Sequence, residues 1–146
     1  MSNRLDDKAL ATLTEQYVNF WNEAEADARR KRIVDLWAAD SRQVLTDPPQ
    51  AMREAVAELA FPIPDLEVRG HRQLEARATR SYEMFIAPGE YVFQARGRAT
   101  QLSAGLVGIG WAMVAADGTE AGGGYDILSL DADGRIRSDH QFIDPA

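Results

Sequence analysis

Residues 106–143 read LVGIGWAMVAADGTEAGGGYDILSLDADGRIRSDHQFI, and this stretch decides the fold. Two separators inside it, Ala116-Asp117-Gly118 and Asp131-Ala132-Asp133-Gly134, carry the Asp and Gly chemistry of tight turns, with a glycine where the backbone needs a positive φ. The runs they separate, Leu106 to Ala115, Gly124 to Leu130 and Arg135 to Ile143, are rich in β-branched and aromatic residues and predict strands. Connections this short join antiparallel neighbours. Gly105, Gly108, Gly110 and the run Gly122-Gly123-Gly124 fall in or beside strands, where glycine marks bulges and bends, so the sheet is expected to curve strongly. Gly108-Ile109-Gly110 is not a dinucleotide fingerprint, because it lies within a strand and no helix follows to receive a pyrophosphate.

Upstream, His71 to Ile86 and Glu90 to Gln101 read as two further strands about the turn Ala87-Pro88-Gly89. Phe61-Pro62-Ile63-Pro64 is the connector into the sheet, since one proline removes a helix donor and the next prevents a restart. Before it the period changes from two to 3.6. Leu10, Leu13, Tyr17, Phe20, Trp21 and Ala24 form one stripe and predict a helix over Leu5 to Ala24. A second helix runs from an Asp27 cap to Asp40, with Ile33, Leu36 and Trp37 inward and Arg29, Arg30, Lys31 and Arg32 as a solvated face or an anion patch. Gln43 to Leu45 is extended, and Pro49 suits the first position of a third helix reaching Ala60. Helices first and strands afterwards predict an α+β domain over 1–146, with three N-terminal helices packed on a strongly curved, mostly antiparallel sheet.

The chain has 146 residues, enough for one core, with 45% hydrophobic and 27% charged residues. It contains no cysteine and two histidines, His71 and His140. That removes disulfides, thiolate metal sites and a cysteine nucleophile, and leaves too few histidines for a multi-histidine metal centre, so no metal or cofactor is expected. Sixteen basic against 23 acidic residues give a net charge of −7, which argues against nucleic acid as a partner. No apolar run approaches a membrane span and the N-terminus lacks signal-peptide character, so the expected location is the cytoplasm.

The opening helix with Gln16-Tyr17-Val18-Asn19-Phe20-Trp21-Asn22, the phrase Asp35-Leu36-Trp37-Ala38-Ala39-Asp40 leading to Asp47-Pro48, and the ending Gly124-Tyr125-Asp126-Ile127-Leu128-Ser129-Leu130 with Asp133-Gly134-Arg135-Ile136 together resemble the nuclear transport factor 2-like superfamily. The resemblance spans nearly the whole chain and is closest to the SnoaL-like and ketosteroid-isomerase-like branch. It implies a cone of helices and curved sheet around an apolar pocket, and a homodimer paired through the sheet. The superfamily holds isomerases, cyclases, dehydratases, epoxide hydrolases and non-catalytic binders, so function has to be argued from side chains.

By resemblance to ketosteroid isomerase, Asp47 takes the place of the base, and Tyr17 and Asp126 those of two donors to an enolate-like oxygen. The residues themselves allow a second reading of each. Tyr17, on the apolar stripe of the first helix, is either such a donor or a core tyrosine with a satisfied hydroxyl. Asp47 before Pro48-Pro49 is either a base or a helix N-cap. Asp126, sharing a strand face with Leu128 and Leu130, is either a desolvated acid or a carboxylate paired with an arginine.

Asp139 and His140 form a further pair near the end of the chain, where the SnoaL-like cyclases place acid–base groups. Neighbouring strand residues face opposite ways, so only one of the two enters the interior. His140 is preferred, because its ordinary pKa is near working pH. Trp21, Trp37, Phe61, Trp111 and Met113 are the candidate pocket walls for a small hydrophobic organic molecule. Two function classes follow. One is a cofactor-independent isomerase or cyclase using carboxylate chemistry on a hydrophobic carbonyl compound. The other is a non-catalytic ligand-binding or protein-interaction domain. An epoxide hydrolase would need an Asp-Arg-Asp set, to which Arg77, Arg96 or Arg98 could contribute.

Overall fold

The structure, a computed structural model, describes residues 4–46, 54 and 66–144. Helix α1 spans Asp7–Asn22, with Asp6 as its N-cap accepting from the Ala9 amide at 2.8 Å. It buries Leu10, Leu13, Tyr17, Phe20 and Trp21, as the 3.6 period requires. Helix α2 spans Ala26–Leu36. Its cap residue is Glu25, which makes no side-chain cap bond, and Asp27 lies inside the first turn.

Trp37 is not on that helix. It opens strand β1, Trp37–Leu45, and is fully buried. The tryptophan packs with an edge toward Phe20, their ring centroids 5.9 Å apart, so the burial expected of a helical face is met from the sheet side. Beyond Leu45, Asp47, Phe61 and the expected helix over 49–60 lie outside the described residues.

Strand β2, Leu66–Arg69, pairs antiparallel with β1. Helix α3 follows over Gly70–Ser81 and continues as a π-helical turn, Tyr82–Ile86. The strand expected over His71–Ile86 is thus corrected to helix. The run Gln73-Leu74-Glu75-Ala76-Arg77-Ala78 consists of strong helix formers, and Leu74, Arg77, Ala78 and Ser81 recur at helical spacing on the buried face. Ala87-Pro88-Gly89 ends this element and leads into the sheet instead of joining two strands.

The remaining strands are β3 (Tyr91–Ala95), β4 (Thr100–Ser103), β5 (Leu106–Ala115), β6 (Glu120–Leu130) and β7 (Ile136–Ile143). The single run expected over Glu90–Gln101 is broken between β3 and β4, where Gly97 has φ 76°. The sheet order is β2-β1-β7-β6-β5-β3, with β4 also on β5. All pairings are antiparallel except β1 with β7. The result is an α+β fold in which helices cover one face of a mixed, curled, open sheet. Its core is built from α1, β1 and the inner faces of β5 to β7, where Tyr17, Phe20, Trp37, Leu45, Ile109, Leu128 and Ile136 are all buried. Among the described residues no helix is long and apolar enough to cross a membrane.

Candidate functional site

Helix α1 and strands β6, β7 and β1 bring five polar side chains into the apolar interior. Tyr17 comes from the inward stripe of α1, Asp126 from β6, Asp139 and Gln141 from β7 and Gln43 from β1; none is more than 4% exposed. On each strand these residues occupy alternate positions with apolar neighbours: Asp126 with Leu128 and Leu130, Gln43 with Leu45. Arg77, 4% exposed, enters from α3.

The Tyr17 hydroxyl lies 2.6 Å from Asp126 Oδ2 and 2.6 Å from Asp139 Oδ2. Asp126 also accepts from Trp111 Nε1 at 2.7 Å and from Gln141 Nε2 at 3.1 Å. Asp139 Oδ2 accepts from Gln43 Nε2 at 2.9 Å. Behind the two amides stands one guanidinium: Arg77 Nε donates to Gln43 Oε1 at 2.9 Å, and Nη2 donates to Gln141 Oε1 at 2.8 Å. Arginine only donates and a carboxylate only accepts, so each glutamine amide is held in one orientation between them. Arg77 also lies over the Trp21 ring, 5.1 Å from its centroid.

Tyr17 has one hydrogen for two oxygens at equal distance. The second short contact therefore needs a proton on a carboxyl. Asp126 takes three donors, from Tyr17, Trp111 and Gln141, the pattern of an ionised carboxylate. Asp139 Oδ1 is buried and has no partner among the described residues, which suits a neutral acid and would be costly for an anion. Burial, and secondly the nearby charge of Asp126, hold the Asp139 carboxyl well above its ordinary range. Burial also raises Tyr17 and lowers Arg77. With Asp139 protonated, Arg77 and Asp126 leave this buried cluster neutral.

Beside the cluster is a cavity of about 220 Å³. Its walls include Trp21, Phe85, Phe93, Trp111 and Met113, and its polar lining comes from Tyr17, Arg77, Ser81 and Gln141. Phe93 stands edge-on to Trp111 at 5.7 Å. Asp126 and Asp139 do not line it, and both are wholly enclosed.

Among the residues singled out from sequence, Tyr17 and Asp126 meet directly, and Trp21, Trp111 and Met113 form cavity wall. Trp37 belongs to the core and not to that wall. His140 faces the opposite side of β7 from the cluster, and Asp139 is the member of that pair that turns inward. The reason is the alternation of β7, which buries Asp139 and Gln141 on one face, while Ile136 is buried ahead of the register shift that separates it from Ser138. Arg77 is the inward arginine. Arg96 pairs with Glu120 and Asp144, and Arg98 with Asp7, at the surface. Gln43 and Gln141 had no motif to announce them, although their inward parity on β1 and β7 was available. Of the basic cluster on α2, Arg29 is buried, donating to the Glu23 carbonyl at 2.7 Å, while Arg30, Lys31 and Arg32 form ion pairs with acidic neighbours.

This architecture is that of the SnoaL-like and NTF2-like cone proteins. The chain superposes with a TM-score of 0.71 on a protein of the SnoaL-like family from Agrobacterium tumefaciens, at 23% identity, covering 93% of this chain and 97% of the other. An NTF2-like protein of unknown function from Exiguobacterium sp. 255-15 gives 0.60 at 15% identity, covering 92% and 99%. A protein with a ketosteroid isomerase-like fold from Catenulispora acidiphila, in complex with trimethylamine, gives 0.57 at 15% identity, covering 88% and 82%. At these identities the likeness establishes the fold. No protein-family profile and no curated protein matches the sequence.

Proposed function

We propose that this chain is a small-molecule-pocket protein of the SnoaL-like type, with the cavity as its binding site and Tyr17 as the acid–base group at its wall. The observation that carries this reading is Tyr17, a residue of the cavity lining whose hydroxyl meets both Asp126 and Asp139 at 2.6 Å. Such a hydroxyl can pass a proton to a ligand oxygen and be resupplied from Asp139 while a base, Asp47 by the resemblance, takes a proton from carbon; the oxygen proton then returns through Tyr17 to Asp139 as the base reprotonates a carbon, and no cofactor is needed. A cavity of roughly 150 Å³ takes benzene. On that scale about 220 Å³ suits a compact ligand of roughly ten non-hydrogen atoms and is small for a steroid.

The test is a titration of compact cyclic hydrocarbons and ketones, followed by ligand-observed NMR, against the wild type and Gly122→Leu. Gly122 lines the cavity, and a Cβ there meets nothing within 4 Å, so leucine fills space without displacing the fold. Saturable binding that disappears in Gly122→Leu supports the site; identical binding by both chains refutes it. For catalysis, Asp47→Asn tests the base that the resemblance assigns, and unchanged turnover would remove that assignment.

The complete enclosure of both carboxylates favours a second reading, a passive binder in which the cluster only shapes the pocket floor. The two readings part on Tyr17→Phe, which abolishes turnover in the first and leaves ligand residence unchanged in the second. We also propose a homodimer through the outer sheet face, where Tyr125 and Phe142 are in register and exposed at 39% and 42%. Light scattering of Tyr125→Arg, with a fall to monomer mass, tests it.

A further inference from the structure

Arg77 donates from Nε and Nη2 to the two glutamines, and its Nη1 has no acceptor among the described residues. A guanidinium is fully charged under all ordinary conditions, and leaving its donors unpaired in an interior is costly. This side chain is 4% exposed and lines the cavity, so the unspent hydrogens have only the cavity to serve. Ser81, one helical turn further along α3, is 7% exposed and lines the same cavity, and its hydroxyl has no hydrogen-bond partner among the described residues. Spacing of four residues puts both donors on one face of the helix.

The other polar lining residues, Tyr17 and Gln141, are engaged in the buried cluster, and the rest of the wall is largely apolar, with Trp21, Phe85, Phe93, Trp111 and Met113. The stacking of Arg77 on Trp21 and its two glutamine contacts hold the guanidinium in place, so little ordering remains to be done when a ligand arrives.

We infer that Arg77 and Ser81 form an oxygen-recognition pair that selects a neutral, apolar ligand bearing a carbonyl oxygen. This rests on the pocket reading above and names what the pocket selects. Charge decides between a neutral acceptor and an anion. The positive charge of Arg77 is already offset by Asp126 through Gln141, so a carboxylate would bring an uncompensated charge into an apolar enclosure, whereas a ketone brings only lone pairs. An amine, cationic at neutral pH, is disfavoured by the guanidinium itself.

The probes are 1-indanone, indane and indane-1-carboxylate, which share one carbon frame and differ in the oxygen group. Calorimetry with the full chain should show 1-indanone binding at least about 10-fold more tightly than indane, the scale of a hydrogen bond to a charged donor, and indane-1-carboxylate binding no better than indane. In Arg77→Met the ketone should lose that advantage while indane affinity stays within about twofold. Because Arg77→Met removes a buried network member, a second measurement uses the wild type alone. The ¹³C carbonyl resonance of bound 1-indanone should move downfield relative to the free ketone in alkane solvent, as a carbonyl does when it accepts from a cation. If indane binds and 1-indanone binds no tighter, or its carbonyl does not shift, the recognition pair is wrong and the pocket stands. If the carboxylate binds tightest, the site reads anions and the inference falls. If none of the three binds, the pocket reading itself fails and the inference fails with it.

Discussion

Asp126 and Asp139, on adjacent antiparallel strands, each present one oxygen to the same phenolic hydroxyl of Tyr17 at 2.6 Å. Two carboxyl groups this close cannot both be charged in an apolar interior without large cost, and one proton between them resolves the conflict. The tyrosine is therefore the hinge of the whole polar cluster.

Replacing it shows how much depends on that hydroxyl. Tyr17→Phe leaves two buried carboxyl oxygens without their shared partner, and each such loss costs about 1–3 kcal/mol. Urea unfolding should show a drop in that range or above it. Tyr125→Phe, at an exposed position, should stay within about 0.5 kcal/mol of wild type. Equal effects at the two sites would mean that the Tyr17 contacts carry no weight.

The proton on Asp139 gives a pH signature with a definite sign. Its native carboxyl is held above the ordinary 3.8, first by burial and then by the charge of Asp126. Between 3.8 and the raised native value, the native chain keeps a proton that the unfolded chain has released. Stability from this group is thus complete below the ordinary range and is lost as pH rises through the native value. The difference in unfolding free energy between wild type and Asp139→Asn, measured across pH 4 to 9, should shrink as pH rises. A constant difference would place the proton elsewhere.

Gln43 and Gln141 share one guanidinium, so their deletions should not add. Each single change to alanine breaks one bridge between Arg77 and a carboxyl oxygen. In the double variant the second loss costs less than the first, because Arg77 has already lost its fixed position. A double-mutant cycle by denaturant unfolding should return a coupling of about 0.5–3 kcal/mol. Simple additivity would show that the two bridges are independent.

Gly124 controls the Trp111 contact. A Cβ at this position would come within 2.6 Å of the Phe142 carbonyl and 2.7 Å of the Trp111 ring. Gly124→Ala should therefore push the indole away from Asp126 and destabilise the chain by about 1–3 kcal/mol, the usual range for overpacking. Loss of the slowly exchanging indole N–H resonance of Trp111 would report the break. The companion change Gly122→Ala, with open space around its Cβ, should leave that resonance in place.

Much of the fold was legible because its signals are local. The 3.6 stripe of α1 placed Tyr17 inward, and the two Asp-Gly turns set the hairpins β5–β6 and β6–β7, with the antiparallel pairing that follows. Two of the readings that failed did so for reasons visible in the sequence. Trp37 ends an apolar helical pattern, yet the helix stops one residue earlier and the same side chain serves as the start of a strand. The stretch His71–Ile86 lies between segments of strand character, which favours a strand, although Leu74, Arg77, Ala78 and Ser81 keep helical spacing.

By itself the sequence determined an acidic, cysteine-free α+β chain in which any proton chemistry falls to carboxylates, tyrosine and two histidines, since composition and period are properties of neighbours along the chain. Only the tertiary structure decided which acids matter. Asp139 and His140 are adjacent and chemically plausible alike, and the parity of β7 alone sends one inward and the other out. The partnership of Tyr17 with residues 109 and 122 positions away, and the convergence of Gln43, Arg77 and Gln141 from a strand, a helix and another strand, depend on how the sheet curls against α1 and α3. A side chain's charge state and hydrogen-bond partners are set by what surrounds it in space, and no local pattern encodes that surrounding.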